Sequence, residues 1–335
     1  MSIRRATHAG SWYSNHSLEL SQQLESCLSK ADTMKAPIDK ARIIVSPHAG
    51  YRYCGPTMAY SYASLNLTQN VKRIFILGPS HHLYFRNEIL LSKFNQLETP
   101  LGNLTIDNEL NEKLIKDGKK HSNIFNYMDK DTDLDEHSLE MQYPMLLQTL
   151  NWRKISPDKV KIIPMLVSHN TKDVDMSLGK ILLPYLKDEK NLFIISSDFC
   201  HWGRRFQFTG YVSDEKELEE AIEEETEIEM LTSRSKLPHH KVPIWQSIEI
   251  LDKHAMKVLT ESANIEKYSN WKKYLEISGN TVCGANPCSV ILAIIALLKD
   301  ERLIKFEWPK YSQSSKVTNV DDSSVSYASG FAKIP

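Results

Sequence analysis

Residues 73–82, RIFILGPSHH, join a short apolar run to small residues and then to a pair of histidines. The same order of residue types recurs three times, in RIIVSPH at 42–48, KIIPMLVSH at 161–169 and LFIISSDFCH at 192–201. Short apolar runs that are rich in β-branched residues and lack polar alternation are typical of strands buried on both faces. The four segments therefore predict the central strands of one sheet.

Helical patterns lie between and after these segments. Residues 17–28 and 107–117 carry leucines at helical spacing, and residues 287–299 are apolar nearly all round, which predicts a buried helix. Strands that alternate with helices predict an α/β fold, with a central mostly parallel or mixed β-sheet flanked by helices on both faces. We expect a last strand at 325–331, preceded by a surface loop at 312–326.

The histidines that end the four segments are expected to share one edge of the sheet. Ligands of α/β sheets bind beyond the carboxyl ends of the strands, where His48, His81, His169 and His201 would lie if the strands run parallel. His81 and His82 are adjacent on an extended chain, so only one of them should face such a site. His169 has no acidic neighbour in the sequence and is interpreted as a loop residue.

Composition excludes several classes of protein. The 335 residues include 41 basic and 42 acidic side chains, a balance that predicts no nucleic acid partner. The N-terminus has no apolar signal core, and no apolar run approaches the roughly 18 residues of a membrane span. Five cysteines without a disulfide framework indicate free thiols in a reducing compartment, so we expect a cytoplasmic protein without a membrane span.

Cys283 is the cysteine with the most informative surroundings, in the sequence TVCGANP at 281–287. Asn286 is a suitable N-cap and Pro287 a suitable first helical residue, which would place the thiol beside the positive end of a helix. That position favours a thiolate, which is both a nucleophile and a soft metal ligand. The alternative is a small buried apolar side chain, the usual role of a free cysteine.

The remaining candidates each have two interpretations. His48 and His81 are either metal ligands or hydrogen-bonded structural residues. Asp198 and His201 either orient an imidazole, bind a metal or move protons together, or they cap a helix and pack against Trp202. His137 lies at a predicted helix start with acidic neighbours, where it either handles protons or belongs to an ordinary helix cap.

Seven blocks of sequence, taken together, resemble the Memo family. They follow one another in chain order as HAGSWY (8–13), PHAGY (47–51), GPSHH (78–82), DEHSLEM (135–141), SSDFCHWG (196–203), CG (283–284) and DSSVSYA (322–328). The blocks span nearly the whole chain, so the resemblance implies a single Memo-like domain over 1–335. Relative to shorter members, the acidic stretch and the loop after it, at about 214–243, look like an insertion.

The resemblance implies a fold similar to that of class III extradiol dioxygenases, which hold non-haem Fe(II) with two histidines and a carboxylate. In the family pattern His48 and His81 match the two histidines, and Cys283 takes the third ligand position. Asp198 and His201 match residues close to the same pocket. A thiolate in place of the carboxylate favours iron or copper over magnesium or calcium and makes extradiol dioxygenase activity itself doubtful.

Two functions follow from the resemblance. The first is a metal-dependent redox protein that binds Fe(II) or copper and acts in signalling for cell motility or invasive growth, in the cytoplasm and also the nucleus. The second is a non-enzymatic adaptor whose pocket binds a signalling protein or a phosphotyrosine peptide. Metal storage or delivery without turnover is a third possibility.

Overall fold

The computed structural model describes residues 2–32, 36–299 and 302–335. The strands are β1 (Ile3–Arg4), β2 (Ala41–Ser46), β3 (Arg73–Pro79), β4 (Ile89–Leu91), β5 (Gln96–Thr99), β6 (Gly102–Ile106), β7 (Phe125–Tyr127), β8 (Lys161–Val167), β9 (Asn191–Ser196), β10 (His201–Trp202), β11 (Gly210–Tyr211), β12 (Glu229–Met230), β13 (Phe306–Gln313) and β14 (Ser324–Lys333). The α-helices are α1 (Ser17–Ala31), α2 (Tyr51–Ser64), α3 (Asn108–Gly118), α4 (Lys130–Asp135), α5 (His137–Glu140), α6 (Tyr143–Trp152), α7 (Lys172–Lys187), α8 (Glu215–Glu224), α9 (Ile244–Glu261), α10 (Lys267–Ser278) and α11 (Ala285–Leu297). Short 3₁₀ turns lie at Lys119–His121, Pro157–Lys159, Arg204–Phe206 and Leu237–His239.

One large mixed sheet organises the molecule. Its strand order is β1-β5-β6-β8-β3-β9-β2-β14-β10, with β13 paired to β14, and β4 paired to β7 and β8. The four predicted strands are neighbours at its centre and run parallel to one another, in the order β8-β3-β9-β2. β14 adds antiparallel to β2 and carries β13 and β10 antiparallel on itself. The predicted α/β fold with a mixed central sheet is confirmed.

Helices cover both faces of the sheet because successive side chains of the central strands point to opposite sides. Ile43 and Phe193 belong to one buried apolar cluster, which also includes side chains of α7, α9 and α11. Ile44 and Ile194, the next residues along the same strands, belong to a second cluster with side chains of α1, α2 and α6. Strands buried on both sides in this way require continuous apolar sequence, which is the pattern that predicted them.

The buried helix α11 begins earlier than predicted. Gly284 occupies the N-cap position, and Asn286 and Pro287 lie inside the first turn, so the prediction of an Asn286 cap was wrong. The backbone N–H of Gly284 donates a hydrogen bond to Ser197 Oγ at 3.0 Å, just beyond the end of β9. A tertiary contact therefore fixes the start of this helix, and no local capping side chain does.

The prediction of a surface loop at 312–326 was wrong at both of its boundaries. β13 extends to Gln313, β14 begins at Ser324, and the two pair antiparallel with a register shift between Glu307 and Lys310. β13 lies at an edge and contains Pro309 and charged side chains, so its sequence lacks the apolar run of a central strand. The acidic stretch, in contrast, contributes the largely exposed helix α8.

None of the helices in the described ranges is long and apolar enough to cross a membrane.

Candidate metal centre

Three predicted side chains meet beyond the carboxyl ends of the central strands. His48, His81 and Cys283 each offer a ligand atom, and these atoms all lie within 4.8 Å of one another. His48 follows β2 by two residues, His81 follows β3 by two residues, and Cys283 precedes α11 by two residues. The expectation that strand-end histidines collect at one edge is therefore confirmed for His48 and His81.

The tautomer of His48 is set by the groups around its Nδ1. Ser196 Oγ donates its hydrogen to the carbonyl of Ser138 at 2.6 Å and accepts from Gln142 Nε2 at 2.8 Å. That hydroxyl, 2.9 Å from His48 Nδ1, can only accept from the ring, so Nδ1 carries the hydrogen. Nε2 is left with a free lone pair, and it lies 3.2 Å from Cys283 Sγ.

Burial keeps the His48 ring neutral. Its side chain is only 1 % exposed, and desolvation together with the neighbouring His81, His137 and His201 holds the pKa of His48 well below its usual value. A neutral imidazole is the form that binds metals.

His81 is oriented by a carboxylate. Glu136 accepts from the His81 backbone N–H at 2.7 Å and lies 2.9 Å from His81 Nδ1. Burial alone would raise the pKa of Glu136, but the bonds from His81 and from the Ser138 amide outweigh it and lower the pKa to about 2. An ionised carboxylate only accepts, so Nδ1 of His81 is protonated and Nε2 is free. A carboxylate that holds the far side of a histidine in this way is typical of metal-binding histidines.

Cys283 sits against the backbone of Asp198. The Asp198 N–H donates to Cys283 Sγ at 3.1 Å, and the Asp198 carbonyl lies 3.4 Å from the same sulfur. Burial, and next the Asp198 carboxyl, raise the pKa of this thiol well above its usual value. The prediction that the helix N-terminus favours a thiolate was therefore wrong, because desolvation outweighs the helix dipole. A metal would have to displace the thiol proton.

Only glycine fits next to this cysteine. A Cβ at Gly284 would lie 2.2 Å from the Ser197 Cβ and 2.8 Å from the Ser196 carbonyl oxygen. Gly284 thus lets the start of α11 approach the end of β9 closely enough to bring Cys283 to His48.

Asp198 and His201 occupy different positions around the three side chains. Asp198 is 3 % exposed, and its Oδ1 accepts from the His48 backbone N–H at 2.9 Å, while burial raises the pKa of its carboxyl. His201 Nδ1 lies 2.9 Å from the Phe199 carbonyl and 3.2 Å from the Thr281 carbonyl, so this nitrogen is protonated. His201 is not among the three converging ligand atoms.

His137 packs between two aromatic rings. Its centroid lies 4.4 Å from that of Trp12 and 4.2 Å from that of His81, with interplanar angles of 33° and 32°. Burial and the neighbouring His81 lower the pKa of His137 to about 3, so the ring is neutral at physiological pH. Glu136 caps α5 by accepting from the Ser138 amide at 2.8 Å, so the expected helix cap is confirmed. The same carboxylate orients His81.

A cavity of about 280 Å³ opens over the site. Its lining residues are Pro79, Ser80, His81, His82, Leu83, Tyr84, Phe85, Val167, Ser168, His169, Cys283 and Asn286. His169 does lie in a loop, as predicted, but it also lines this cavity, where Asn286 Nδ2 donates to its Nδ1 at 3.3 Å. The signal for this residue was present in the sequence, because His169 follows a central parallel strand as His48 and His81 do.

A buried ionic network supports the segment that carries Glu136 and His137. Glu140 accepts from Arg4 Nη1 at 2.6 Å and from the Tyr13 hydroxyl at 2.7 Å, and it lies 2.8 Å from His8 Nδ1. Burial would raise the pKa of Glu140, but His8 and Arg4 outweigh it and lower the pKa to about 2. Sequence reasoning missed these residues because the partners lie more than a hundred positions apart.

The fold and this group of side chains define the chain as an α/β protein with two imidazoles and one thiol gathered at the carboxyl edge of its sheet. The Memo-like protein family matches residues 4–331, and the chain belongs to the Memo family. It is 64 % identical to the MEMO1 family protein MHO1 of Saccharomyces cerevisiae, with 100 % of both chains covered. Human Protein MEMO1 is 39 % identical over 98 % of this chain and 96 % of its own length. A MEMO1 family protein of Schizosaccharomyces pombe is 38 % identical over 98 % and 99 % of the two chains.

Proposed function

We propose that this chain binds Fe(II) or copper through His48, His81 and Cys283 and acts as a redox protein. The observation that supports the proposal is the convergence of the three ligand atoms within 4.8 Å. Both histidines have a protonated Nδ1 with an accepting partner, which leaves each Nε2 free as a ligand.

The donor set fits some metals and not others. Two neutral imidazoles and one sulfur suit iron, copper and zinc, whereas magnesium and calcium require oxygen ligands. Zinc fits the ligands but has no redox chemistry. Iron or copper bound here would supply one-electron transfer and a binding position for oxygen or a small ligand.

Neighbouring residues have separate roles in this proposal. The Asp198 carboxylate accepts from the His48 backbone N–H and so positions the loop that carries His48. Together with His201, Asp198 orients a ligand or moves protons. His137 is neutral, and its Nδ1 lies 3.6 Å from Glu136, so its ring can hydrogen-bond a ligand beside His81.

The cavity favours a small ligand over a peptide. Its volume of about 280 Å³ lies at the low end of ligand pockets, and its lining contains histidines but neither arginine nor lysine. Phosphotyrosine recognition normally uses arginine clusters, so a phosphotyrosine peptide is the less suitable occupant. A role in signalling for motility or invasive growth, in cytoplasm and nucleus, is the further part of the proposal that the family resemblance implies.

Oxygen consumption and peroxide output test the redox proposal. The protein is loaded with Fe(II) or Cu(I) without oxygen and then exposed to oxygen with ascorbate as the electron donor, beside Cys283→Ser and the control Cys27→Ser. We expect turnover that requires the metal, falls in Cys283→Ser and is unchanged in the control. Turnover independent of metal and of Cys283 would contradict the proposal, and partner binding that survives chelation would favour the adaptor.

A further inference from the structure

A second group of ligand-type side chains lies between helices α8 and α9, outside the site described above. Glu215 and Glu219 are four residues apart on α8 and share a face, and His254 projects from α9. One ligand atom from each of the three lies within 4.8 Å of the other two. Two helices therefore present two carboxylates and an imidazole to a common point.

The two carboxylates already converge on a single cation. Lys257 Nζ lies 2.7 Å from Glu215 Oε1 and 2.7 Å from Glu219 Oε1. The lysine side chain is 38 % exposed and flexible, so it can leave this position for water. The position of the Lys257 ammonium shows where the negative charge of the two glutamates favours a positive ion.

His254 supplies an observation that the lysine does not explain. The residue is 8 % exposed, and its Nδ1 is buried without a hydrogen-bond partner among the described residues. Buried polar nitrogens normally have a partner, and no hydrogen bond holds this imidazole, so the ring is available to a cation. The ring is held in place by stacking on Tyr274, with centroids 5.5 Å apart and an interplanar angle of 26°.

An open cavity leads to the same place. It has a volume of about 470 Å³, and Glu219, Glu223, His254, Lys273 and Tyr274 are among its lining residues. An ion could enter from solvent, and water could complete its coordination.

We propose that Glu215, Glu219 and His254 form a binding site for a divalent cation of the zinc type, which displaces Lys257 and clamps α8 to α9. Zinc accepts carboxylate oxygens and imidazole nitrogens and commonly takes three protein ligands plus water. Calcium and magnesium fit less well because one of the three ligands is nitrogen. The site is independent of the metal centre built on Cys283.

Zinc affinity, measured by competition with a chromophoric chelator, tests the site. Every variant is made in the full chain that also carries Cys283→Ser. The same variants are made in the wild-type background, which shows whether Cys283→Ser itself causes a folding defect. His254→Gln should weaken one zinc site by about tenfold or more, because it removes one of three ligands. Lys257→Met should tighten the same site by about tenfold, because it removes the competing cation. The control Glu224→Gln removes one charge from the same helix and should leave the affinity unchanged.

Two results would overturn the site. One is the absence of zinc binding that depends on His254, even in Lys257→Met. The other is an equal loss in His254→Gln and Glu224→Gln, since that would mean diffuse attraction to an acidic surface.

Discussion

Ser196 and Glu136 each accept a hydrogen bond from Nδ1 of a histidine that follows a central strand. By fixing that nitrogen as the donor, they determine that Nε2 of each ring faces the candidate metal centre. The sequence indicated the two histidines and Cys283 but not these partners, because hydrogen bonds between distant segments leave no local pattern.

Ser196→Ala tests the role of this hydroxyl. The change leaves His48 Nδ1 without its acceptor, and we expect iron or copper affinity to fall by about 10- to 100-fold, the usual effect of losing such a partner. Ser177→Ala is the control, because its hydroxyl bonds a carbonyl within α7. Equal metal affinity in the two variants would show that Ser196 does not orient the ligand.

Asp252 predicts a pH effect that is separate from the metal centre. Burial raises the pKa of its carboxyl to about 6, although it accepts from the Cys200 amide, Asn280 and Tyr311. A carboxyl whose pKa is raised on folding stabilises the protein at low pH and loses that contribution as pH rises toward 6. Relative to Asp252→Asn, the free energy of unfolding of the wild type should therefore fall between pH 4 and 6, by on the order of 3 kcal/mol. Parallel pH profiles of the two proteins in urea denaturation would contradict this.

Among the secondary-structure elements, the short strand β1 pairs with β5 and carries one buried charged side chain that anchors it to the α4–α5 segment. Arg4 bonds Asp133 at 2.9 Å and Glu140 at 2.6 Å, and all three side chains are buried. A strand of two residues carries no recognisable pattern, so neither β1 nor its ion pairs could be predicted.

Arg4→Met and Arg5→Met form a matched pair of neighbouring changes. Arg4→Met leaves two buried carboxylates without their cation and should cost about 3–5 kcal/mol of stability. Arg5 pairs with Glu98 at the surface, and its loss should cost about 0–1 kcal/mol. Urea denaturation measures both, and similar losses would contradict the assignment of β1 anchoring to Arg4.

The contact between α11 and β9 gives a second test at this scale. Gly284→Ala places a methyl group 2.2 Å from Ser197 Cβ and should destabilise the protein by about 1–3 kcal/mol or more. Gly55→Ala in α2 is the control, because its added Cβ meets only an ordinary contact at 3.7 Å and alanine favours the helix. Thermal unfolding compares the two, and a stable Gly284→Ala protein would mean that α11 can shift at little cost.

In the whole molecule, the parallel central strands explain why the position of the candidate metal centre could be predicted from the sequence. Once 42–45, 73–77, 161–167 and 192–195 are recognised as parallel neighbours, the residues that follow them must share an edge. Edge elements such as β13 escaped prediction because their residues are mostly exposed or half-buried and include proline, so they form no apolar run. Which strand-end histidines converge depends on loop geometry, which the sequence does not show. His169 was assigned to a loop because it has no acidic neighbour, although it also follows a central strand.

Metal content and affinity test the central claim most directly. Protein prepared reduced and without oxygen is analysed as wild type, His48→Ala and Cys283→Ser, with Cys27→Ser as the control. We predict about one iron or copper ion per chain in the wild type and the control, and its loss in the other two. No metal above background, or metal that both substitutions leave unchanged, would contradict the claim that these side chains form a metal centre.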